Sequence, residues 1–257
     1  MVPPRRILLL ALCLMAPALG IAPAGAWAAD APGAVPVPAP VVTLDAPPSL
    51  WLGDTVTLQV TMSPAIPGGV VAIESDVAGV WAPIAGGTLD EASRLSVSWS
   101  PDAYGYFRLR AGLEAGVDHA AGVSATRRVV VNRPNKHDVP YRFAHYIVIV
   151  VHEYRLYYYE HGENVRTFTV ALGRPGYRTP LGSFHIYAKR PHLGGASGAC
   201  VMYYRQRGGI GIHGTDQPWL LRRFPRPFSH GCARMYNAQA LWLYARCRRG
   251  TPVLNIP

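Results

Sequence analysis

Short runs of alternating apolar and polar residues, separated by Gly, Pro and Asp, cover residues 41–131. In runs such as DTVTLQVTM, apolar residues recur at every second position, which is the period of a strand with one face buried. Many short strands separated by turn residues are typical of two packed sheets, and we expect residues 41–131 to form a β-sandwich.

The pattern changes after residues 132–142, NRPNKHDVPYR, a polar stretch with two prolines that we interpret as a linker between domains. The apolar run YIVIVV and the aromatic run RLYYYE follow, and a turn at residues 161–164 leads into a third run over residues 165–172. This order predicts a strand hairpin at the start of a second domain, residues 143–257.

One helix is predicted, in the stretch NAQALWLYARCRRG. Asn237 can cap its start, arginines occupy its last turns, and Gly250 and Pro252 end it. The second domain should therefore be mostly β with one clear helix.

The first 28 residues have the order of a secretory signal peptide. Arg5 and Arg6 precede an apolar run, and Ala26-Trp27-Ala28 provides small residues at a cleavage site. The run is shorter than the roughly 20 residues that span a bilayer, and we expect no transmembrane segment in the mature chain. We expect export to the cell wall or periplasmic space, with a twin-arginine route as an alternative, and a Pro- and Ala-rich linker at residues 29–40.

Removal of residues 1–28 leaves 23 basic and 15 acidic residues, a net charge of +8. Such a charge suits an anionic cell wall, although solubility alone would explain it equally well. Scattered arginines and export argue against nucleic acid as a partner.

The stretch SHGCARM places Cys232 after His230 and Gly231. A cysteine nucleophile needs a base and donors for the oxyanion, and the N–H groups of Gly231 and Cys232 can supply the donors. A second histidine, His213, is separated from Ser229 by fifteen residues. The two histidines and Cys232 could instead bind zinc, but their spacing is unlike that of zinc sites, and we expect no metal or other cofactor.

At these residues the chain resembles the L,D-transpeptidase catalytic domain of the YkuD type, whose signature is a histidine, about fifteen residues, and Ser/Thr-His-Gly-Cys. TPLGSF, residues 179–184, resembles the Thr-Pro-x-Gly-x-Phe turn of that family, and the resemblance covers about residues 143–257. The stretch SWSPDAYGYFRL resembles the late hairpin of a bacterial immunoglobulin-like domain. We therefore expect residues 41–131 to be an immunoglobulin-like sandwich, an arrangement familiar in mycobacterial and related enzymes.

The resemblance implies that Cys232 attacks a peptidoglycan tetrapeptide stem and releases D-alanine. The side-chain amine of a second stem then resolves the acyl-enzyme and forms a 3→3 cross-link. By the same resemblance His213 is the base, oriented by a backbone carbonyl for which we expect that of Gly214, and His230 and Gly231 line the oxyanion region.

The resemblance also implies that Ser229 and Arg234 shape the substrate pocket. Residues 189–208 are rich in Gly and contain two adjacent tyrosines, a composition typical of a lid. Further candidates for contact with substrate are Tyr203, Tyr204 and Trp219. Packing within the core is an equal alternative for these aromatic residues.

The motif does not separate a transpeptidase from an L,D-carboxypeptidase or cross-link hydrolase, which would resolve the same acyl-enzyme with water. A non-catalytic wall-binding protein is a third hypothesis, and the presence of both His213 and Cys232 argues against it.

Loss of Cys13 with the signal peptide leaves Cys200 and Cys247 as the pair available for a disulfide, if Cys232 stays free. The alternatives are a buried Cys247 and a Cys200 that pairs reversibly with Cys232.

Overall fold

The structure is a computed structural model that describes residues 39–191 and 194–257. The predicted signal peptide, residues 1–28, and nearly all of the predicted linker, residues 29–40, lie outside the described residues. In the part of the chain that is described, no helix is long and apolar enough to cross a membrane.

Nine strands between residues 41 and 132 form two sheets. They are β1 Val41–Asp45, β2 Ser49–Trp51, β3 Val56–Ser63, β4 Val70–Val77, β5 Val80–Thr88, β6 Arg94–Trp99, β7 Gly105–Leu113, β8 Gly122–Val123 and β9 Arg127–Asn132. One sheet has the order β1-β3-β6 and the other the order β2-β9-β7-β4-β5, with β8 paired to β7. Leu58 and Val60 of the first sheet and Ile73 of the second are fully buried in one shared apolar core. An immunoglobulin-like topology for this two-sheet region stays a prediction.

Residues 132–142, predicted as a linker, pack against the strands that follow. The side chain of Asn135 makes two hydrogen bonds to the backbone of Val139, each 2.9 Å long. Its Oδ1 accepts from the N–H of Val139, and its Nδ2 donates to the carbonyl of Val139. Val139 is buried against Val148 and Val150. The segment is therefore part of the packed structure.

The C-terminal region contains the remaining strands and one α-helix. They are β10 Tyr146–Val150, β11 Arg155–Glu160, β12 Glu163–Thr169, β13 Leu172–Gly173, β14 Gly182–His185, β15 Ala188–Pro191, β16 Cys200–Arg205, β17 Ile210–His213, β18 Pro227–Ser229, β19 Ala233–Arg234, α1 Asn237–Arg246 and β20 Pro252–Ile256. The sheets have the orders β12-β11-β10-β20-β14, β15-β16-β17-β19 and β13-β18. Helix α1 packs on β16 and β17 and shares their apolar core. The prediction of a mostly β fold with one clear helix is confirmed.

Helix α1 is shorter than its sequence pattern predicts. It ends at Arg246, and Cys247 already has an extended conformation. Lys189 lies at this end, where its ammonium donates to the carbonyl of Tyr244 at 2.6 Å and to that of Cys247. Carbonyls at a helix C-terminus have no partner within the helix, so a cation there is stabilising.

Part of the predicted lid, residues 189–208, lies in a sheet, namely residues 189–191 in β15 and residues 200–205 in β16. Strands β15 and β16 pair antiparallel, with Ala188 opposite Tyr203 and Pro191 opposite Cys200. Tyr204 is only 3% exposed and belongs to the core. Of the two alternatives for Tyr204, contact with substrate and packing within the core, its burial favours packing.

Cys200, Cys232 and Cys247 are all free thiols, so the disulfide considered between Cys200 and Cys247 is not formed. Both of these residues belong to the apolar core beside α1. Burial raises the pKa of Cys200 to about 11 and that of Cys247 to about 12. They therefore pack as small apolar side chains, which burial keeps protonated and unreactive.

Alkylation of the denatured, unreduced protein should label all three of these cysteines, because none is oxidised in the folded chain. Intact mass gives the number of labels, and peptide mapping gives their positions. Label on Cys232 alone would contradict the structure and restore the disulfide.

Candidate active site

The site is built where β17 and β19 pair in parallel. Ile212 lies opposite Ala233, and His213 lies opposite Arg234. Cys232 comes directly before β19, so this register brings it beside Gly211. Two residues of pairing thus fix the cysteine relative to the strand that carries His213.

A serine and a glycine shape the turn that precedes β19. Ser229 is fully buried, and its hydroxyl accepts from the N–H of Gly231 at 3.0 Å and donates to the carbonyl of Cys232 at 2.6 Å. Gly231 has φ 115°, and a Cβ there would lie 2.8 Å from a methyl group of Ile210. Only glycine fits this conformation. Ser229 therefore braces the turn from inside the protein and cannot itself contact substrate, contrary to its predicted place in the binding pocket.

The thiol of Cys232 lies at the edge of the core and is half-buried. Its Sγ accepts from the N–H of Gly211 at 3.4 Å and donates to the carbonyl of Gly209 at 3.8 Å. Burial raises the pKa of Cys232 above its ordinary 9.0, although the Gly211 N–H and the charge of Arg234 oppose the shift. At neutral pH the sulfur therefore carries its proton.

His213 is 6% exposed at the end of β17. Its Nδ1 lies 2.5 Å from the carbonyl oxygen of Gly214, the hydrogen bond expected from the sequence. Because a carbonyl only accepts, Nδ1 carries the proton and Nε2 has the lone pair. Burial lowers the pKa of His213 to about 4, with a smaller lowering by Arg234, while the bond to Gly214 acts in the opposite sense. The imidazole is thus neutral at neutral pH.

A neutral imidazole with a fixed Nδ1–H and a protonated thiol are the two parts of a general-base and nucleophile pair. In the described residues, no hydrogen bond joins the His213 ring to Sγ of Cys232, whose two partners are the backbone groups of Gly211 and Gly209. Such contacts are often long in the absence of substrate. No group of three or more His, Cys, Asp or Glu residues among those described could hold a metal ion.

Asn237 fixes the loop that orients His213. Its Oδ1 accepts from the N–H groups of Ala199 at 3.0 Å and Thr215 at 3.1 Å, and its Nδ2 donates to the carbonyl of Thr215 at 3.1 Å. A Cβ on Gly214 would collide with this side chain. The predicted capping role of Asn237 is wrong, since helix α1 has no side-chain cap and the amide instead joins two loops. Nothing in the sequence distinguishes this role from a cap.

Arg234 lies beside both reactive groups, since its charge lowers the pKa of His213 and of Cys232. Its backbone exchanges two hydrogen bonds with Ala171, at 2.8 and 2.9 Å. Its Nε is buried and has no hydrogen-bond partner in the described part of the chain. This guanidinium therefore has donor capacity left for a ligand.

His230 does not join the groups around Cys232. It is exposed, and its Nε2 accepts from Nη2 of Arg174 at 2.7 Å, while the ring of Tyr177 packs against it at 4.5 Å. Nothing in the sequence indicates Arg174 as its partner. The expected place of His230 in the oxyanion region is therefore not supported by its contacts.

The N–H of Gly231, a second expected oxyanion donor, is already bonded to Ser229. The N–H of Cys232 has no hydrogen-bond acceptor among the described residues.

Of the aromatic candidates, Tyr203 is half-buried in β16, and Trp219 is 54% exposed on a short 3-10 helix, Pro218–Arg222. Both remain candidates for substrate contact.

Comparison with known proteins gives one consistent result. Residues 144–254 match the YkuD family, described as the L,D-transpeptidase catalytic domain. The Bacillus licheniformis protein provisionally named L,D-transpeptidase YkuD is 32% identical over 136 residues, which are 52% of this chain and 78% of that protein. The Bacillus subtilis protein of the same provisional name is 28% identical over 141 residues, or 55% of this chain and 82% of that protein. A crystal structure of a mutant Enterococcus faecium L,D-transpeptidase is 22% identical with a TM-score of 0.38, covering 52% of this chain and 58% of that one.

Replacing Asn237 by Ala should loosen the His213–Gly214 loop. Three hydrogen bonds are lost, each contributing about 1 kcal/mol, so exchange of the His213 Nδ1 proton should become at least about tenfold faster. Proton NMR of the ring N–H measures this exchange. Gln239→Ala, on the same helix turn, is the control and should leave the exchange rate close to that of the parent. Equal exchange in the Asn237→Ala protein would remove Asn237 from this role.

Proposed function

The chain belongs to the YkuD family of L,D-transpeptidases, and from that premise we propose that it forms 3→3 cross-links in peptidoglycan through an acyl-enzyme on Cys232. The observation that carries the proposal is the neutral imidazole of His213, with its proton held on Nδ1 by Gly214, one strand away from a protonated thiol. A base in this state can accept a proton at Nε2 at any pH above its pKa of about 4.

In the first half-reaction Nε2 of His213 takes the thiol proton of Cys232 as sulfur attacks the carbonyl carbon that precedes the terminal D-alanine. The carbonyl becomes an oxyanion. When it re-forms, the C–N bond to D-alanine breaks and His213 returns the proton to the leaving amine. The product is a thioester on Cys232 and free D-alanine.

In the second half-reaction the side-chain amine of another stem attacks the thioester. His213 accepts a proton from this amine, the C–S bond breaks, and the proton returns to sulfur. An amide between two stems has formed, and both reactive groups have regained their starting protonation. No cofactor takes part in this sequence.

Two further groups have roles in the proposal. The N–H of Cys232 donates to the oxyanion, and the N–H of Gly231 joins it only if its bond to Ser229 opens. Arg234 binds a stem carboxylate or the oxyanion, which is supported by its buried Nε without a partner among the described residues. Tyr203 and Trp219 are proposed to form walls of the site.

We propose that the chain acts outside the cytoplasm, where its substrate lies. The net charge of +8 that remains after removal of residues 1–28 supports contact with an anionic wall.

A second candidate is an L,D-carboxypeptidase or cross-link hydrolase, which would resolve the same thioester with water. The observation that favours it is that part of the predicted lid lies in a sheet, with residues 189–191 in β15 and residues 200–205 in β16. With these residues in a sheet, they are less able to close over the thioester and exclude water.

Cys232→Ala should abolish both acyl-adduct formation and D-alanine release with a tetrapeptide stem, as measured by intact mass and amino-acid analysis. His213→Gln should slow acylation by about 10² to 10⁴, the usual range for the loss of a general base. His230→Gln is the matched variant and should lose much less, since Arg174 rather than Cys232 is its partner. Unchanged turnover in the Cys232→Ala protein would rule out the mechanism.

Adding an amine acceptor to the acylated enzyme should divert the acyl group from water to the amine. We expect amide product to exceed hydrolysed stem at millimolar acceptor, with no change in the rate of acylation. Product ratios by mass spectrometry measure this partition. Hydrolysed stem as the sole product at every acceptor concentration would assign the chain to the carboxypeptidase or hydrolase class.

A further inference from the structure

A separate cavity of about 560 Å³ opens where the turn after α1 meets the residues that precede β10. Its lining includes Arg142, His145, Arg248 and Arg249 and no acidic residue. None of these residues takes part in the hydrogen bonds of Cys232 or His213. The cavity is therefore a distinct basic site on the same domain.

The three arginines of this cavity lack a carboxylate partner among the described residues. None of the ion pairs there includes these arginines, although the carboxylate of Glu160 lies 3.9 Å from Nδ1 of His145, which lines the cavity. Arg142 lies over the ring of Phe143, 4.9 Å from its centroid. Stacking occupies a face of the guanidinium and leaves the N–H edge free to bind. Like charges in one cavity repel each other, and a bound anion would relieve this repulsion.

The backbone beneath the arginines is already fixed. The N–H of Arg248 donates to Oγ1 of Thr251, and the N–H of Thr251 donates to the carbonyl of Arg248, both at 3.1 Å. Gly250 donates to the carbonyl of Ile186 at 2.8 Å, and Thr251 is buried. A ligand would therefore need to order only the side chains, which lowers the entropic cost of binding.

His145 leaves one ring nitrogen available to this cavity. The hydroxyl of Tyr158 donates to Glu160 at 2.8 Å, so its oxygen accepts from Nδ1 of His145 at 2.6 Å. Nε2 has no hydrogen-bond partner among the described residues. The imidazole can therefore contribute a polar atom without giving up its bond to Tyr158.

We propose that this cavity binds a phosphate group carried by a polar molecule, such as a polyol phosphate. Two N–H groups of one guanidinium can donate to two oxygens of a phosphate at the same time. Three guanidinium groups offer more N–H donors than the two oxygens of a carboxylate can accept, which favours phosphate over carboxylate. The volume lies within the range of small-molecule sites, so the phosphate can carry a substituent. Phe143 is the one aromatic residue of the lining, which suits a polar substituent. The proposal does not depend on the reaction at Cys232.

Titration calorimetry of residues 29–257 with glycerol 3-phosphate tests the site, with glycerol as the uncharged comparison. The double variant Arg248→Gln/Arg249→Gln should bind the phosphate at least about tenfold more weakly, since one charge-assisted hydrogen bond has about that effect. Arg222→Gln/Arg223→Gln removes two adjacent exposed arginines elsewhere and is the charge-matched control. It should bind within about twofold of the parent, and thermal unfolding should show that both variants are folded.

Vesicles identify the source of the phosphate. If the parent, but not the Arg248→Gln/Arg249→Gln protein, is retained on phosphatidylglycerol vesicles, the phosphate belongs to a lipid headgroup. If glycerol 3-phosphate binds and neither protein is retained, the phosphate belongs to a soluble or polymeric polyol. Absence of glycerol 3-phosphate binding by the parent, or equal weakening in both double variants, would overturn the proposal.

Discussion

The parallel pairing of β17 and β19 is the constraint on which the candidate active site depends. It is only two residues long, but Ala233 of β19 and Met235 after it are fully buried, and the N–H of Met235 donates to the carbonyl of His213 at 2.9 Å. Burial in the apolar core therefore stabilises β19, which its few hydrogen bonds to β17 would not keep in place by themselves. Any shift of this register would move Cys232 away from Gly211 and would also displace His213.

Burial acts on the two reactive groups in opposite directions and keeps both uncharged. It raises the pKa of Cys232 and lowers that of His213 to about 4, since a charged form loses hydration in either case. The resting pair is therefore thiol and imidazole. Thiolate is the form that oxidants attack, so the protonated state protects the sulfur of Cys232 from oxidation. In the proposed mechanism the proton moves from Cys232 to His213 only when a substrate carbonyl is present for the sulfur to attack.

The sequence was sufficient to predict the mostly β fold, the family and the bond between His213 and the Gly214 carbonyl, because each depends on a local pattern or a motif. It was not sufficient for Tyr204 or Asn237. Tyr204 lies in a strand whose buried face packs against α1, which is far along the chain. The sequence pattern around Asn237 is that of a helix cap, but its actual partners, Ala199 and Thr215, come from loops that only the folded chain brings together. The state of Cys200 and Cys247 likewise depends on core packing rather than on cysteine count.

The most direct test of this account is the pH dependence of acylation of Cys232 by a tetrapeptide stem, measured by intact mass at short times. His213 is a base only when neutral, and its pKa in the folded chain is about 4, below the ordinary 6.5. Its neutral fraction is therefore complete above pH 6.5 and is lost as the pH falls through about 4. The account predicts no loss of acylation rate between pH 8 and about 5 and an acid limb with a midpoint near 4. A midpoint near 6.5 would show that the base is an exposed histidine and would contradict the assignment of His213.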